Sequence, residues 1–238
     1  MKQIFDIKIK LRLSAIVLVV LLLAVIVAGW YYYSYASTKT GVLMGSLAAG
    51  LFVALIQLII SWQEYKMAEQ VKDLKLVKIL YDRDDRTYYE NLIKESKKEI
   101  KVMGVTAKRF FEHFADMSKG ARGNARVLID ALNRGVKVEI LLPTKEYLTE
   151  DKQSGYEQVQ QIWQKIKESY PRADITIKYF HHVPAHSIFI VDNKCIVGPV
   201  FENVESKNTP ALHLDNESPF AVNYIEHFDE EWKSLDEQ

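Results

Sequence analysis

The chain of 238 residues contains one cysteine, Cys195, and has no net charge, with 31 lysines and arginines against 31 aspartates and glutamates. A single thiol cannot form an intrachain disulfide, which is typical of proteins in a reducing compartment. The balanced charge excludes an overall basic excess of the kind that indicates nucleic-acid binding, although a local basic patch can still exist. No Cys/His cluster has metal-ligand spacing, so we predict no metal and no cofactor.

Charged residues are also missing from two long apolar runs, residues 15–33 and 41–62. Each run has the roughly 20 residues that a helix needs to cross the hydrocarbon core of a bilayer. Their lack of ionisable side chains argues against a proton-coupled carrier or a voltage sensor. A signal peptide is the alternative for the first run, but that run is too long and ends in aromatic residues instead of a small-residue cleavage site. We therefore predict a transmembrane hairpin at residues 1–62.

The charges that flank the hairpin predict its orientation. They precede the first run and follow the second, whereas the connection at 34–40 carries only Lys39. Lysine and arginine favour the cytoplasmic side of a membrane, so we expect a multi-pass inner-membrane protein with both termini in the cytoplasm. The flanking cations are Lys2, Lys8, Lys10, Arg12, Lys66, Lys72, Lys75 and Lys78.

Small residues recur along the second run, where Gly41, Gly45 and Ala49 are four apart and Gly50 lies one residue round the helix. Such a face lets helices pack closely. It can pack against the first run of the same chain or also against neighbouring chains. Two spans alone cannot enclose a pathway, so a channel requires a homo-oligomer. Gln57 is the one amide deep in this run, and we expect an inter-helix hydrogen bond there in preference to a pore lining.

Residues 63–82 are strongly charged but keep apolar side chains at spacings of three and four, without glycine or proline. This pattern predicts a helical stalk that continues from the second span. Such a stalk can transmit motion, pair with its copies or lie on the head. The remaining residues, 83–238, are enough for one cytosolic domain with its own core.

Helical and strand patterns alternate through residues 83–238. The triplet Asp192-Asn193-Lys194 predicts a tight turn that joins two strands in a hairpin. Strands that alternate with helices and end in a hairpin indicate an α/β fold, with a mixed sheet covered by helices on both faces. The predicted helices are 87–99, 125–134, 155–170 and 219–235, and the predicted strands are 100–105, 136–142, 175–180, 186–191, 195–197 and 211–214.

The order of these elements, with the segments RGVKVEILL, HSIFIVDNKCIVGP and YIEHFDEEW, resembles one half-unit of the phospholipase D superfamily. In that family the hairpin carries H-x-K-x4-D and a later glycine–serine pair. The histidine is the nucleophile, the lysine clamps phosphate oxygens and the aspartate has an orienting role. An alignment on Asp192 and Gly198 puts Ala185 at the histidine, Ser187 at the lysine and Pro199 at the serine. The resemblance therefore implies a phospholipase D-like head with no catalytic residues, that is, a protein that is not an enzyme.

His186 is the imidazole closest to the missing nucleophile. Successive side chains of a strand point to opposite faces, so we expect His186 to face away from the pocket unless a bulge redirects it. Cys195 has no base at a readable distance and is predicted to be a small core residue. Among the other histidines, we expect His181 and His182 at a pocket mouth and His113, His213 and His227 in packing or surface positions.

Folds of this family hold phosphodiesters at the C-terminal ends of their strands, where loops and helix N-termini offer backbone amides to anions. Lysine and arginine side chains there can neutralise phosphates, and hydroxyl or amide groups can position them. Tyr147, Phe180 and Phe201 can stack a base. Taken singly, each of these side chains fits a solvated loop residue better than a ligand contact, whereas together they favour a ligand site. The predicted ligand-binding residues are Thr106, Lys108, Arg109, Thr144, Lys145, Ser187, Asp192 and Asn203.

A small sensor behind two spans is similar to the membrane effectors of bacterial nucleotide-signalling antiphage systems of the CBASS or Hailong type. The resemblance implies an oligomeric ion channel or pore-forming protein that a nucleotide or short oligonucleotide controls. Its implied partners are the lipid bilayer, further copies of the chain and a cognate nucleotidyltransferase. Two other hypotheses stay open: a membrane-tethered phosphodiesterase or phospholipase with a non-standard site, and a membrane scaffold that binds a protein partner.

Overall fold

The computed structural model describes the backbone of residues 2–118 and 123–236, and the side chains of residues 16–69, 71–118 and 125–236. It divides the chain into two compact units, Met1–Gln70 and Val71–Gln238. Part of the charge pattern that predicts the orientation lies outside the described side chains. The residues concerned are Lys2, Lys8, Lys10 and Arg12.

The described residues form helices and strands with the following bounds. The helices are α1 (Lys2–Ser34), α2 (Lys39–Asp73), α3 (Arg86–Glu95), α4 (Lys108–Phe114), α5 (Val127–Asn133), α6 (Glu150–Ser169) and α7 (Pro219–Ser234), and the strands are β1 (Leu76–Leu80), β2 (Glu99–Met103), β3 (Lys137–Pro143), β4 (Ile175–Phe180), β5 (His186–Val191), β6 (Lys194–Pro199) and β7 (Ala211–Asp215).

The first unit is built from α1 and most of α2. Both helices contain stretches long and apolar enough to cross a membrane, with mean hydropathies of 2.4 and 2.3. Gly45 lies against the ring of Tyr32, where an added Cβ would come within 2.6 Å of Cδ2. This part of the small-residue face therefore packs inside the chain, whereas Ala49 and Gly50 are exposed.

Gln57 is also exposed. Its side chain makes no hydrogen bond with the described residues, so the predicted inter-helix bond is not formed within the described part of one chain. Two residues earlier on the same helix, Leu55 is buried, so the two side chains differ in exposure.

The predicted helical stalk at 63–82 is wrong in its second half. Helix α2 ends at Asp73, Lys75 takes a left-handed φ of 47°, and β1 follows as an edge strand antiparallel to β7. The apolar spacing there also fits a strand, and β-branched side chains favour a sheet once a neighbouring strand supplies hydrogen bonds. Leu80 joins the buried core of the second unit, which accordingly begins at Val71 and not at residue 83.

The strands of the second unit form one mixed sheet in the order β1-β7-β6-β5-β2-β3-β4. Strands β2, β3 and β4 are parallel, and the remaining pairs are antiparallel. Helices α3 to α6 cover one face, over a core that includes Ile93 and Ile140. Helix α7 covers the other face, where Phe228 packs with Leu141 and Ile188. The predicted α/β sheet with helices on both faces is confirmed.

Two element boundaries differ from the prediction for clear physical reasons. The helix predicted at 87–99 ends at Glu95, because Asp192 accepts the backbone N–H groups of residues 97–99 and holds them in an extended turn. Helix α6 begins at Glu150, five residues early, with two carboxylates in its first turn, where the helix dipole favours negative charge. The short helix α4 had no recognisable sequence pattern.

Gly198 lies in β6 where the backbone of Pro210 passes close by. An added Cβ would lie 2.5 Å from the Pro210 carbonyl oxygen. We expect Gly198→Ala to lower the free energy of unfolding by about 2 kcal/mol, because the two segments must move apart. Chemical unfolding of the detergent-solubilised protein measures this. Gly104→Ala is the control, since its Cβ would meet nothing nearer than 4.0 Å, and an equal loss in both variants would contradict the steric explanation.

His213 is a buried imidazole of β7 whose Nδ1 contacts the hydroxyl of Tyr88. Burial, with the nearby cations of Lys194 and Lys78, lowers the pKa of His213 to about 4. The unfolded chain, with an ordinary histidine pKa near 6.5, therefore binds the extra proton first as the pH falls. The protonation of His213 therefore does not affect the free energy of unfolding above about pH 6.5, and it lowers that free energy as the pH falls from 6.5 to 4.

We expect the loss to reach about 2 kcal/mol on going from pH 7.5 to pH 5. The variant His213→Gln keeps a side chain that can bond Tyr88 but does not titrate, so its stability should fall by that much less over the same range. Chemical unfolding of both proteins at several pH values tests this. Identical pH profiles would show that the protonation of His213 does not oppose folding.

Candidate functional site: a cationic cavity beside β2

An open cavity of about 190 Å³ lies where the chain leaves β2. The carboxyl end of β2 and the start of β5 form its floor, and α4 and the start of α3 form its walls. Strand β2 has a parallel neighbour on one side and an antiparallel neighbour on the other, so strand order switches here. Such switch points are common ligand sites in α/β sheets. The polar lining residues are Arg83, Arg86, Tyr89, Thr106, Lys108, Arg109, His113, Ser187 and Ser206.

Four of the predicted ligand-binding residues meet in this cavity. Thr106, Lys108 and Arg109 follow β2, and Ser187 faces them from β5. Gly104 also lies in the floor, where an added Cβ would be 4.0 Å from the Ser187 Oγ. The sequence pattern therefore located one wall and part of the floor of the cavity.

The Lys108 side chain is positioned by the backbone around it. Ala107 takes a left-handed φ of 52° between Thr106 and the first turn of α4, and the Lys108 N–H donates to Thr106 Oγ1 at 3.4 Å. The stem of Lys108 lies against Gly155 of α6, where an added Cβ would be 3.3 Å from the Lys108 Cδ. Its ammonium is 3.7 Å from Glu112 on the same helix. A left-handed non-glycine residue is a conformation often found at functional sites.

Three predicted residues lie elsewhere. Lys145 pairs with Glu157 at 2.6 Å, and the Thr144 hydroxyl donates to Glu146 at 3.1 Å, on a separate shallow surface. Asn203 is exposed in the loop after β6 and does not line the cavity. These residues do follow strands of the sheet, and β3 is the parallel neighbour of β2, but their side chains bond to nearby glutamates or are exposed instead of lining the cavity. Thr144, Lys145 and Asn203 therefore do not share the cavity with Thr106, Lys108 and Arg109.

Asp192 lies at the opposite end of β5 from Ser187 and does not line the cavity. It takes a left-handed φ of 52° in the hairpin turn. Its carboxylate accepts the N–H groups of Lys97 and Lys98 at 2.8 Å and of Glu99 at 3.1 Å. Asp192 therefore anchors the turn that leads into β2.

Five polar lining residues were not predicted as part of a ligand site: Arg83, Arg86, Tyr89, His113 and Ser206. The first three belong to the start of α3 and the segment before it, where Asp82, Asp84 and Asp85 accompany the arginines and Asp85 is the N-cap of α3. Carboxylates at a helix N-terminus are favourable, so no local sequence pattern marked these residues as part of a site.

Arg83 is nearly buried and holds the cavity wall to the β6–β7 connection. Its Nε donates to the Ser206 carbonyl at 2.8 Å, and its Nη2 donates to the Pro199 carbonyl at 3.0 Å and to the Thr209 hydroxyl. Burial lowers the pKa of Arg83 from its ordinary value, yet a guanidinium stays charged at neutral pH. The cavity therefore contains a permanent cation that is fixed by carbonyl acceptors.

The other cations of the cavity are closer to solvent. Arg109 pairs with Asp84 at 2.5 Å, and Arg86 donates to the His113 carbonyl at 2.9 Å. Burial and the charges of Arg109 and Arg86 lower the pKa of His113, which favours its neutral form. Burial raises the pKa of Tyr89 to about 12, so its hydroxyl stays protonated. Among the described residues, no aspartate or glutamate lines the cavity, so the charged groups in its lining are cations.

His186 faces away from the cavity, as predicted. Its ring packs against α7, with centroids 4.8 Å from His227 and 5.4 Å from Tyr224. His182, expected at the mouth, instead stacks on Phe180 at 4.4 Å, and neither residue lines the cavity. Tyr147 and Phe201 are exposed away from it, so the three predicted stacking residues are not part of this site.

Cys195 is fully buried in the core beneath α7. Burial raises the pKa of its thiol to about 12. Both properties agree with the predicted core position.

No family model and no curated protein matches the chain. Among solved structures, it aligns with TrmBL2, an archaeal chromatin protein with a novel mode of DNA binding, at 14% identity and a TM-score of 0.44, over 78% of this chain and 69% of that one. It also aligns with Nuc, a phospholipase D family member from Salmonella typhimurium, at 18% identity and a TM-score of 0.40, over 66% and 93% of the two chains.

A third structure is phosphatidylserine synthase from Haemophilus influenzae Rd KW20, at 10% identity and a TM-score of 0.42, over 66% of this chain and 38% of the synthase. These identities and scores do not establish a shared family or a shared function.

Proposed function

We propose that the chain is an oligomeric membrane effector, an ion channel or pore-forming protein, whose phospholipase D-like head binds a nucleotide or short oligonucleotide without turning it over. The observation that carries this proposal is the cavity beside β2, which is lined by Arg83, Arg86, Lys108 and Arg109 and by no carboxylate among the described residues. Such a set of cations fits a ligand with more than one phosphate charge.

The uncharged part of the cavity suits the rest of a nucleotide. Tyr89, Phe110 and Phe189 form an edge-to-face aromatic wall, with ring centroids of 5.4 Å and 6.1 Å from Phe189. The hydroxyls of Thr106 and Ser187 can bond sugar or phosphate oxygens. The N–H groups that can reach such a ligand belong to Arg86, Lys108 and Arg109. Arg83 instead donates hydrogen bonds to carbonyl and hydroxyl groups of the cavity wall.

The membrane part of the proposal is supported by the outward face of α2. Ala49, Gly50 and Gln57 are exposed on one chain, and an amide that faces lipid costs several kcal/mol unless it is paired. Contact with a second copy or with a water-filled pathway removes this cost. We place both termini in the cytoplasm, so the head meets soluble nucleotides.

Catalytic inactivity is proposed from the residues of the hairpin. Ala185 and Ser187 stand where the phospholipase D motif has its nucleophile and its phosphate clamp. A bound phosphodiester would be held by cations but would meet no nucleophile from this motif. An antiphage role follows from the similarity in architecture to CBASS or Hailong effectors, with a cognate nucleotidyltransferase as the source of ligand.

The test uses the full chain reconstituted in planar bilayers and in nanodiscs. Calorimetry with mono-, di- and short oligonucleotides identifies the ligand, and conductance is then recorded with and without it. We expect saturable binding and a conductance that changes when the ligand is added or removed, with either sign allowed because only the affinity difference between the two states matters. Electrically silent bilayers under every ligand condition would refute the channel.

A membrane-tethered phosphodiesterase is the second candidate, because His113 lines the cavity with a lowered pKa that favours a neutral imidazole. Sustained hydrolysis of a phosphodiester that His113→Gln abolishes would establish this enzyme and overturn the proposal. If neither nucleotides nor lipid headgroups bind, the scaffold hypothesis is favoured.

A further inference from the structure

A second concave surface, which we call the basic hollow, lies at the other end of β2 and β5. It has a volume of about 910 Å³ and is lined by the end of α3, the turn at 96–99, Arg134 and the β5–β6 turn. Because β2 spans five residues, about 15 Å separate the basic hollow from the cavity. The function proposed for the cavity gives this surface no role.

The backbone of the basic hollow is held in place by side chains. Asp192 accepts the three N–H groups of the 96–99 turn, as described above. Arg134 donates to the carbonyl oxygens of Ile93 at 3.3 Å, Lys94 at 3.1 Å and Ser96 at 3.3 Å, which closes the end of α3. Lys97 and Lys98 therefore project into solvent from an anchored turn.

The charges in the basic hollow do not cancel. Both oxygens of Asp192 are occupied by backbone N–H groups, Glu95 pairs with Lys194 at 3.2 Å, and Glu99 lies 3.6 Å from Lys101. Within the described residues no ion pair involves Lys94, Lys97 or Lys98. The lining contains five cations and three acids, namely Lys94, Lys97, Lys98, Arg134 and Lys194 against Glu95, Glu99 and Asp192.

We propose that the basic hollow binds anionic phospholipid headgroups of the membrane in which the chain is anchored. The second unit follows the two apolar helices directly in the chain, so anchoring of those helices tethers it to the same membrane. Each lysine at a negatively charged leaflet increases affinity about fivefold. The proposal depends on the membrane location of the chain and does not depend on ligand binding in the cavity. Occupation of the basic hollow leaves the cavity, at the far end of the sheet, free for a soluble ligand.

The experiment places a spin label in the β5–β6 turn of the full chain with Asn193→Cys. Asn193 is exposed, and the buried Cys195 thiol will not react, so labelling is selective. Collision of the label with a water-soluble nickel chelate is measured in nanodiscs of phosphatidylcholine and in nanodiscs rich in phosphatidylglycerol. We expect at least about a threefold lower collision rate with phosphatidylglycerol, and recovery when salt is raised to about 0.5 M.

Matched variants show whether the difference between the two lipids is caused by the basic hollow or by the net charge of the protein. Lys97→Glu with Lys98→Glu should abolish the difference between the two lipids, and the milder Lys97→Gln with Lys98→Gln should reduce it. The control Lys165→Glu with Lys167→Glu makes the same charge change at exposed positions of α6 and should keep it. Near-ultraviolet circular dichroism confirms that each variant is folded.

Three results would overturn the proposal. One is equal collision rates in the two kinds of nanodisc for the labelled parent protein. Another is loss of the lipid effect in the control variant as well. The third is a full decrease produced by soluble glycerol phosphate with phosphatidylcholine nanodiscs, which would assign the basic hollow to a soluble phosphate ester and not to the membrane surface.

Discussion

Arg83→Met should lower the free energy of unfolding by about 3 to 5 kcal/mol. The substitution keeps the apolar stem but removes a guanidinium that donates to the Ser206 and Pro199 carbonyls and to the Thr209 hydroxyl. Hydrogen bonds to a charged group contribute about 1.5 to 3 kcal/mol each, and an unmatched buried acceptor has its own cost. Chemical unfolding of the solubilised full chain measures the loss.

Two variants make this result specific. Arg83→Lys keeps the charge but lacks the planar fork, so its loss should be intermediate. Arg172→Met removes an exposed arginine and should change stability by no more than about 0.5 kcal/mol. A loss below about 1 kcal/mol for Arg83→Met would mean that water replaces the guanidinium and that the wall does not depend on it.

Arg109→Glu should weaken nucleotide binding at least 100-fold. Arg109 pairs with the carboxylate of Asp84 at 2.5 Å, and both side chains are partly exposed. An exposed pair of this kind contributes about 1 kcal/mol or less, so a ligand phosphate can displace Asp84. Loss of a charge-assisted bond together with new repulsion from a glutamate corresponds to about 3 kcal/mol, which is a factor of about 100.

Calorimetry in nanodiscs with the nucleotide that binds the parent protein most tightly measures this effect. Arg109→Gln, which removes attraction without adding repulsion, should lose about tenfold. Lys165→Glu on α6 makes a similar loss of positive charge away from the cavity and should leave the affinity within about twofold. Unchanged affinity in Arg109→Glu would mean that the nucleotide binds elsewhere. Equal losses in Arg109→Glu and Lys165→Glu would mean that the affinity depends only on the net charge of the second unit.

Much of the fold was predictable because it depends on local pattern. The two apolar runs needed only their length and lack of charge, and β4 and β5 were predicted with their observed bounds. Residues 76–80 show the limit of this approach. Their side-chain spacing is compatible with a helix, and β7, more than 130 positions later, decides the conformation by pairing with them.

The candidate site was predictable to the extent that it follows one strand. Thr106, Lys108 and Arg109 come directly after β2, so the rule for the carboxyl ends of parallel strands places them together. Arg83 and His113 could not be assigned in this way, because their nearness to Ser187 depends on how α3 and α4 pack over the sheet.

The sequence by itself determined that two helices are apolar enough to cross a bilayer and that the head is a mixed α/β sheet, since both follow from the period and length of hydrophobic segments. Tertiary structure alone decided which charges share a cavity. Lys145 and Asp192 looked equivalent to Arg109 in the sequence, yet strand register places Asp192 at the opposite end of β5 and Glu157 pairs with Lys145. Register and packing join residues that are distant in the chain, and no local pattern contains that information.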